Sequence, residues 1–318
     1  MANHPFNDSP DKATAPDPTQ NNMVGLTDSV GPPSLMNCRT ESPLIQNLLV
    51  GLAWFFFIGI LGIPILYLFT QAFSGGFIAF FQSIFGDKDT MNSILLTLTI
   101  APIAVMLNTV FGLNAAWLLT RYRFPGRTLI LTLIDLPFAV SPVVTGLCLV
   151  ILAGGRTWVG FWLDRLGIPF LNNTPSMVMG TMFVTLPIIV RELIPVLEEI
   201  GPEQELAATS LGANGRQMFF KITLPNIGIG LLYGVLLCNA RAIGEFASVA
   251  VVSGRISGAT ETMPLRVERL FQEYKSPADF ALASLLALMA FGTLLAKGLI
   301  ENRLNYRHHS GKKGKVGQ

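Results

Sequence analysis

The sequence predicts an all-α fold, a polytopic membrane helical bundle with six transmembrane helices, and three observations carry that expectation. Charged residues are only 13% of the 318, about half the roughly 25% usual in soluble domains. Hydrophobic residues reach 51%. Six apolar runs each attain the about 20 residues that a helix needs to cross a hydrocarbon core about 30 Å thick. A β-barrel would show alternating segments of about ten residues, and a soluble α/β enzyme short apolar strands between amphipathic helices. Neither pattern is present.

Residues 1–43 are rich in Pro, Asn, Asp, Thr and Ser. They bury too little apolar surface to offset their ordering entropy and are expected to form a disordered tail. They lack the charged start and apolar core of a cleavable signal. The first span is expected at 46–72, in a segment 44–91 that ends in an outer loop. The others follow at 93–119, 128–153, 175–198, 227–252 and 280–300. Pro137, Pro142, Pro187 and Pro195 interrupt the third and fourth, which is tolerated where neighbours or water satisfy the freed carbonyls. A basic tail, 302–318, closes the chain.

Six spans place both termini on one side, and the basic residues choose which. Arg39, Arg121, Arg123, Arg127, Arg216, Lys221, Arg303, Arg307, Lys312, Lys313 and Lys315 share one side. Lys88, Arg156, Arg165, Arg255, Arg266, Arg269 and Lys275 share the other. Eleven against seven, dense in the short turn and the tail, predicts cytoplasmic termini.

Several functions are excluded. A net charge of +2 without a basic stripe gives no footprint for nucleic acid. Cys38, Cys148 and Cys238 have no metal or redox spacing and read as small buried hydrophobes. His4, His308 and His309 all lie in the tails, so the spans hold no imidazole for a proton relay or metal site. No phosphate loop is present, and the run from Gly311 follows no strand. No GxSxG elbow or HExxH pair occurs. The chain itself is expected to hold no cofactor and to catalyse no covalent step.

The segment 199–226 is longer than a simple connection. A helix-forming run, Glu203 to Leu211, ends at Gly212, which is free to take positive φ. A second run, Arg216 to Ile222, stops at Leu224-Pro225. Ala207 and Ala208 admit a close backbone, and Met218, Phe219 and Phe220 offer apolar surface to a partner or to the returning span. A helix lying on the lipid surface fits the same residues.

Charge within a span is costly and marks a partner or a task. Arg241 and Glu245, four apart, share a helical face in the fifth span. They form either a pair that orients the span or, with Asn239, part of an anion path. Asp135 is placed to accept bonds freed by Pro137, and Arg191 and Glu192 to snorkel. Ser141, Thr145, Ser248 and Ser253 are candidate path-lining hydroxyls, though such residues also make ordinary helix contacts. In 255–279, basic Arg255, Arg266, Arg269 and Lys275 alternate with acidic Glu261, Glu268, Glu273 and Asp279. Leu265, Val267, Leu270 and Phe271 add an apolar stripe. An amphipathic outer helix is expected, either as a docking surface or as a plug.

Four stretches in order carry a resemblance. Ala207-Ala208, Gly212, Ile222, Leu224 and Pro225 resemble the EAA loop of permease subunits of ATP-binding-cassette (ABC) importers. Asn114 to Trp117 with Arg121 to Arg127 is similar to the second span and turn of that family. Leu136 to Val144 resembles the third span of its sulfate, thiosulfate and molybdate permeases. Leu237 to Gly254, with Met263-Pro264-Leu265 and Phe271 to Tyr274, resembles the W-type permease of sulfate/thiosulfate importers. One departure stands out: Leu206 occupies the family's glutamate position, and Glu205, one residue earlier, is turned by about 100°.

The resemblance implies a MetI-like, type I importer permease with its core in 92–301. Loop 199–226 would carry the coupling helix, with Glu205, Leu206, Ala207, Ala208, Gly212, Ile222, Leu224 and Pro225 meeting the ATPase. Implied partners are cytoplasmic ABC ATPase subunits holding ATP and Mg, a second similar permease, an extracytoplasmic sulfate-binding protein and the lipid bilayer, with no nucleic acid. A bacterial-type inner membrane is implied, and sulfate, thiosulfate or molybdate as cargo. A gradient-driven secondary anion transporter would instead arrange carboxylates or histidines for ion coupling in an inverted repeat; the spans hold no histidine and show no clear repeat. A purely structural membrane protein would not need the long loop.

Overall fold

The computed structural model describes residues 43–155, 157–167, 169–274 and 277–313, with no strand among them. Of the tails expected at 1–43 and 302–318, residues 1–42 and 314–318 lie outside the described residues, as do Arg156 and Lys275. The chain divides into two units, Met1–Ile63 and Pro64–Gln318.

The helices are α1 (Leu44–Ala72), α2 (Gly76–Phe85), α3 (Lys88–Arg121), α4 (Arg127–Ala139), α5 (Pro142–Ala153) and α6 (Trp158–Arg165). Then come α7 (Thr174–Ile200), α8 (Glu203–Ser210), α9 (Gly215–Ile243), α10 (Ala247–Val252), α11 (Met263–Gln272) and α12 (Ala278–Lys313). Of these, α1, α3, α7, α9 and the 278–300 part of α12 are long and apolar enough to cross a membrane. Counting α4 with α5 as one broken span makes six.

In the first unit, the large apolar side chains of α1 stand exposed from Leu44 through Ile63, Gly-flanked positions included. In the second, α3, α7 and α9 build the core. Leu113, Ala116 and Leu119 of α3 meet Ile189, Leu193 and Leu197 of α7 and Ile227, Cys238 and Ala242 of α9. Close approach requires glycine at Gly112, where an added Cβ would fall 2.9 Å from Ile189 Cγ2. The buried Asn108 amide ties α3 to α7, donating to Thr185 Oγ1 at 2.7 Å and the Met182 carbonyl at 3.1 Å. α12 packs on α9 and α11, and α10 packs on α5 and α7.

Four expectations need correction. The third apolar run is not one rod: α4 and α5 meet at 109°. Pro142 disfavours helical backbone at the preceding residue, and Ser141 takes φ −57°, ψ 133°. The fifth span ends at Ile243 rather than 252, because the chain leaves the helix at Gly244 and restarts as α10. Its other end begins at Gly215, since Leu224-Pro225 does not stop the helix. A π turn at Phe219–Thr223 precedes Pro225 and accommodates a ring that would otherwise clash with the carbonyl four residues back. The last helix runs past 300 to Lys313. Cys148 is exposed, whereas Cys238 is buried as expected. Pro187 and Pro195, by contrast, leave α7 continuous.

Candidate functional site

The connection between α7 and α9 folds as its residues dictate. α8 ends in a Schellman motif, in which Ala213 N–H donates to the Ala208 carbonyl at 3.0 Å and Gly212 N–H to the Thr209 carbonyl at 2.9 Å. Gly212 has φ +83° and nothing within 4 Å of an added Cβ, so backbone conformation alone selects glycine there. Asn214 and Gln217 then form a capping box that starts α9.

Glu205 faces inward and is 8% exposed, while Leu206 beside it is 62% exposed. The Arg121 guanidinium, at the end of α3, grips Glu205 through Nε at 2.8 Å and Nη2 at 3.2 Å. It also donates to the carbonyls of Leu197, at 3.1 Å, and Gly201, at 2.9 Å. The Thr223 hydroxyl donates to Glu205 Oε1 at 2.8 Å. The carboxylate therefore binds α8 to the end of α3 and to the π turn of α9, and Arg121 extends the same network to the end of α7. Ala208 is buried, Ala207 is exposed, Ile222 and Leu224 are half-buried, and Pro225 is exposed. Leu206, Leu211 and Phe220 form exposed apolar surface.

A second group lies where α9 ends. Glu245, just beyond the helix, is buried and pairs with Arg241 Nη1 at 2.6 Å. It also accepts from Ser248 N–H at 3.1 Å and the Ser248 hydroxyl at 3.0 Å. The four-residue spacing thus holds across the break, and Arg241, with its side chain 43% exposed, presents its remaining donors outward. Gly146 of α5 lies against Ser248, its added Cβ falling 2.8 Å from the Ser248 carbonyl. Thr145 beside it is buried with its hydroxyl unpartnered. Ser253 is buried, and its hydroxyl accepts from Arg255 N–H at 3.2 Å. Ser141 is exposed at the α4–α5 break. Asn239 does not join Arg241: about 200° around the helix from it, it lines a groove with Pro102, Met106 and Val110 of α3.

The 255–279 segment does form an amphipathic helix, α11, but its polar side is partly internal. Buried Arg266 reaches Asp87 at 2.7 Å and Glu261 at 3.3 Å, and Arg269 reaches Glu261 at 2.9 Å. Met263 N–H donates to Thr97 Oγ1 at 2.8 Å, pinning the helix to α3. Leu265 and Leu270 are buried, and Phe271 is exposed. Burial pushes the Asp87 carboxyl up, but bonds from Thr90, Arg266 and the Asp89 N–H, with the Arg266 charge, outweigh it and leave Asp87 below its ordinary value. Burial depresses the Arg266 guanidinium, and its acidic neighbours more than restore it.

Residues 108–306 match the family model described as the binding-protein-dependent transport system inner membrane component. The chain is 50% identical over 265 residues to the sulfate transport system permease protein CysW of Synechocystis, covering 83% of this chain and 95% of that one. The chain belongs to this permease family, in its CysW branch. The CysW protein of Escherichia coli K12 is 49% identical over 80% of the permease and 88% of its own length. Sulfate permease 2, chloroplastic, of Chlamydomonas reinhardtii is 49% identical over 81% and 69%. The fold of the permease is that of a bacterial ABC transporter involved in the import of the acidic polysaccharide alginate, with a TM-score of 0.66 over 82% of this chain and 95% of that one, at 20% identity. The permease is accordingly a multi-pass inner-membrane component of an importer.

Two pairings escaped the sequence. Arg121 was legible only as a basic residue in a short turn, 84 positions from its acid. Asp135 and Arg191 were assigned to separate local roles, yet Arg191 Nε donates to Asp135 Oδ1 at 2.8 Å. Their 56-residue separation carries no local signal, although two opposite charges in neighbouring apolar spans are themselves a hint.

Proposed function

We propose that this permease carries sulfate or thiosulfate inward by alternating access, driven by separate ATPase subunits. Its CysW relatives are named as sulfate transport permeases, and half of its residues match theirs over most of the chain. The observation that carries the coupling step is the buried clasp of Arg121, Glu205 and Thr223 beneath exposed Leu206, Leu211 and Phe220. A load applied to that apolar face is transmitted through this carboxylate and Arg121 to three spans.

The partners in this reading are two cytoplasmic ABC ATPases that hold ATP and Mg, a second permease and an extracytoplasmic sulfate-binding protein. Both termini and α8 face the cytoplasm. The permease holds no cofactor. ATP closes the ATPases, α8 moves with them, and the bundle shifts between two populations. Arg241, half neutralised by Glu245, gives a dianion transient attraction near the outer end of α9. Ser141, Thr145, Ser248 and Ser253 supply hydroxyls along that route.

The test is purification of the tagged protein from its native membrane, followed by uptake of labelled sulfate into proteoliposomes. Recovery with an ATP-binding subunit and a second permease, and ATP-dependent sulfate entry, are expected. Recovery alone would overturn the reading, and competition by thiosulfate or molybdate would fix the cargo.

A further inference from the structure

The pair formed by Asp135 of α4 and Arg191 of α7 is left over from the function described so far. Its side chains are 40% and 58% exposed. Arg191 stands nine residues before the end of α7 and Asp135 eight residues after the start of α4, so each lies about 12–14 Å along its helix from the end of the bundle where Arg127 meets Glu198. A charge that far inside an apolar span faces a water-filled cavity or protein rather than lipid.

The geometry at Arg191 is one-sided. Only Nε is engaged by Asp135, and the guanidinium carbon lies 4.9 Å from the centre of the Phe138 ring. The two terminal nitrogens have no hydrogen-bond partner among the described residues and point from an exposed side chain. Arg241 has the same design, one nitrogen on Glu245 and the others without a hydrogen-bond partner among the described residues.

The two arginines are also connected. Arg191, Pro187, Val184 and Gly180 are spaced four, seven and eleven residues apart and occupy one face of α7. An added Cβ at Gly180 would fall 3.4 Å from Ser248 Oγ, and Ser248 holds Glu245, the acid of Arg241. That face is buried at Pro187, Val184 and Gly180, so it links Arg191 to the Arg241 cluster through packed protein.

We propose that Arg191 is a second contact for a tetrahedral oxyanion inside the membrane, deeper than Arg241 and likewise half neutralised by a carboxylate. This rests on the importer reading. Two weak sites in series pass a dianion from one to the next, whereas a single unpaired guanidinium would retain it.

The experiment is ATP-driven uptake of labelled sulfate by proteoliposomes holding the complete importer. Arg191→Gln is expected to lower uptake by about tenfold or more, the loss of one charge-assisted bond. Assembly and binding-protein-stimulated ATP hydrolysis are expected to persist. Arg191→Lys is expected to recover part of the uptake. Asp135→Asn, which frees the guanidinium, is expected to lower KM and the maximal rate together. Restoration of full uptake in the double variant Asp135→Asn/Arg191→Gln would overturn the proposal, since a neutral pair then suffices and the charges serve packing alone. A wild-type complex that hydrolyses ATP but imports no sulfate would instead defeat the importer reading, and the proposal with it.

Discussion

Arg121 and Glu205, 84 residues apart in sequence, meet through two nitrogens and two oxygens at 2.8 and 3.2 Å. Both side chains are only 10% exposed. Removing one partner strands a buried charge, a loss of about 3–5 kcal/mol where burial is complete. Glu205→Ala is expected to lower the melting temperature of the detergent-solubilised permease and to abolish uptake. Glu205→Gln, which keeps the shape and one acceptor, is expected to melt between the two. Unchanged melting in Glu205→Ala would remove the clasp from the account.

Gly212 tests backbone conformation without steric interference, because nothing crowds its Cβ position while φ is +83°. A left-handed L-residue costs about 1–2 kcal/mol, and asparagine least. Gly212→Val and Gly212→Asp are expected to abolish sulfate uptake with membrane insertion intact, and Gly212→Asn to retain more of it. Uptake assays alongside membrane-fraction immunoblots distinguish these outcomes.

The exposed apolar residues around α8 make a separate prediction. Leu211 is 90% exposed, so its replacement leaves the fold unaffected. Leu211→Asp is expected to reduce co-purification of the ATPase subunit at unchanged melting temperature. Retention of the ATPase at wild-type level would move the docking surface elsewhere.

Asp87 sets a pH limit on the Arg266 cluster. Its carboxyl is held below the ordinary value of 3.8. A depressed carboxyl contributes stability above its unfolded value and loses it as pH falls through the folded one. The gap in melting temperature between wild type and Asp87→Asn is expected to be constant from neutral pH to about pH 4 and to shrink below it. A gap that shrinks already between pH 7 and 5 would point to another group.

Much of this was legible in the sequence because the bilayer imposes a length and a composition on each span. α3, α7 and the start of α12 lie where apolar runs placed them. The glycine stop at Gly212 was equally local, as was the four-residue spacing of Arg241 and Glu245. The sequence was less informative where apolar character continues through a change of direction. Val140 and Ser141 turn the chain by 109° in a run that stays apolar on both sides of the break, and Gly244 ends α9 within another largely apolar run. Hydropathy is blind to both. The inward turn of Glu205 depended on Arg121 and Thr223, and long-range pairs leave no trace in spacing.

The π turn at Phe219–Thr223 has a mechanical meaning. Because the helix is not stopped by Pro225, the element that begins beside the capping box and the one that ends beside Arg241 are a single shaft of 29 residues. Its length is about 43 Å. A twist imposed at the capped foot arrives at the Arg241 end as a twist, with one looser coil on the way to absorb misalignment. In the proposed mechanism this one helix joins the coupling loop to Arg241, so timing between them is built in rather than relayed.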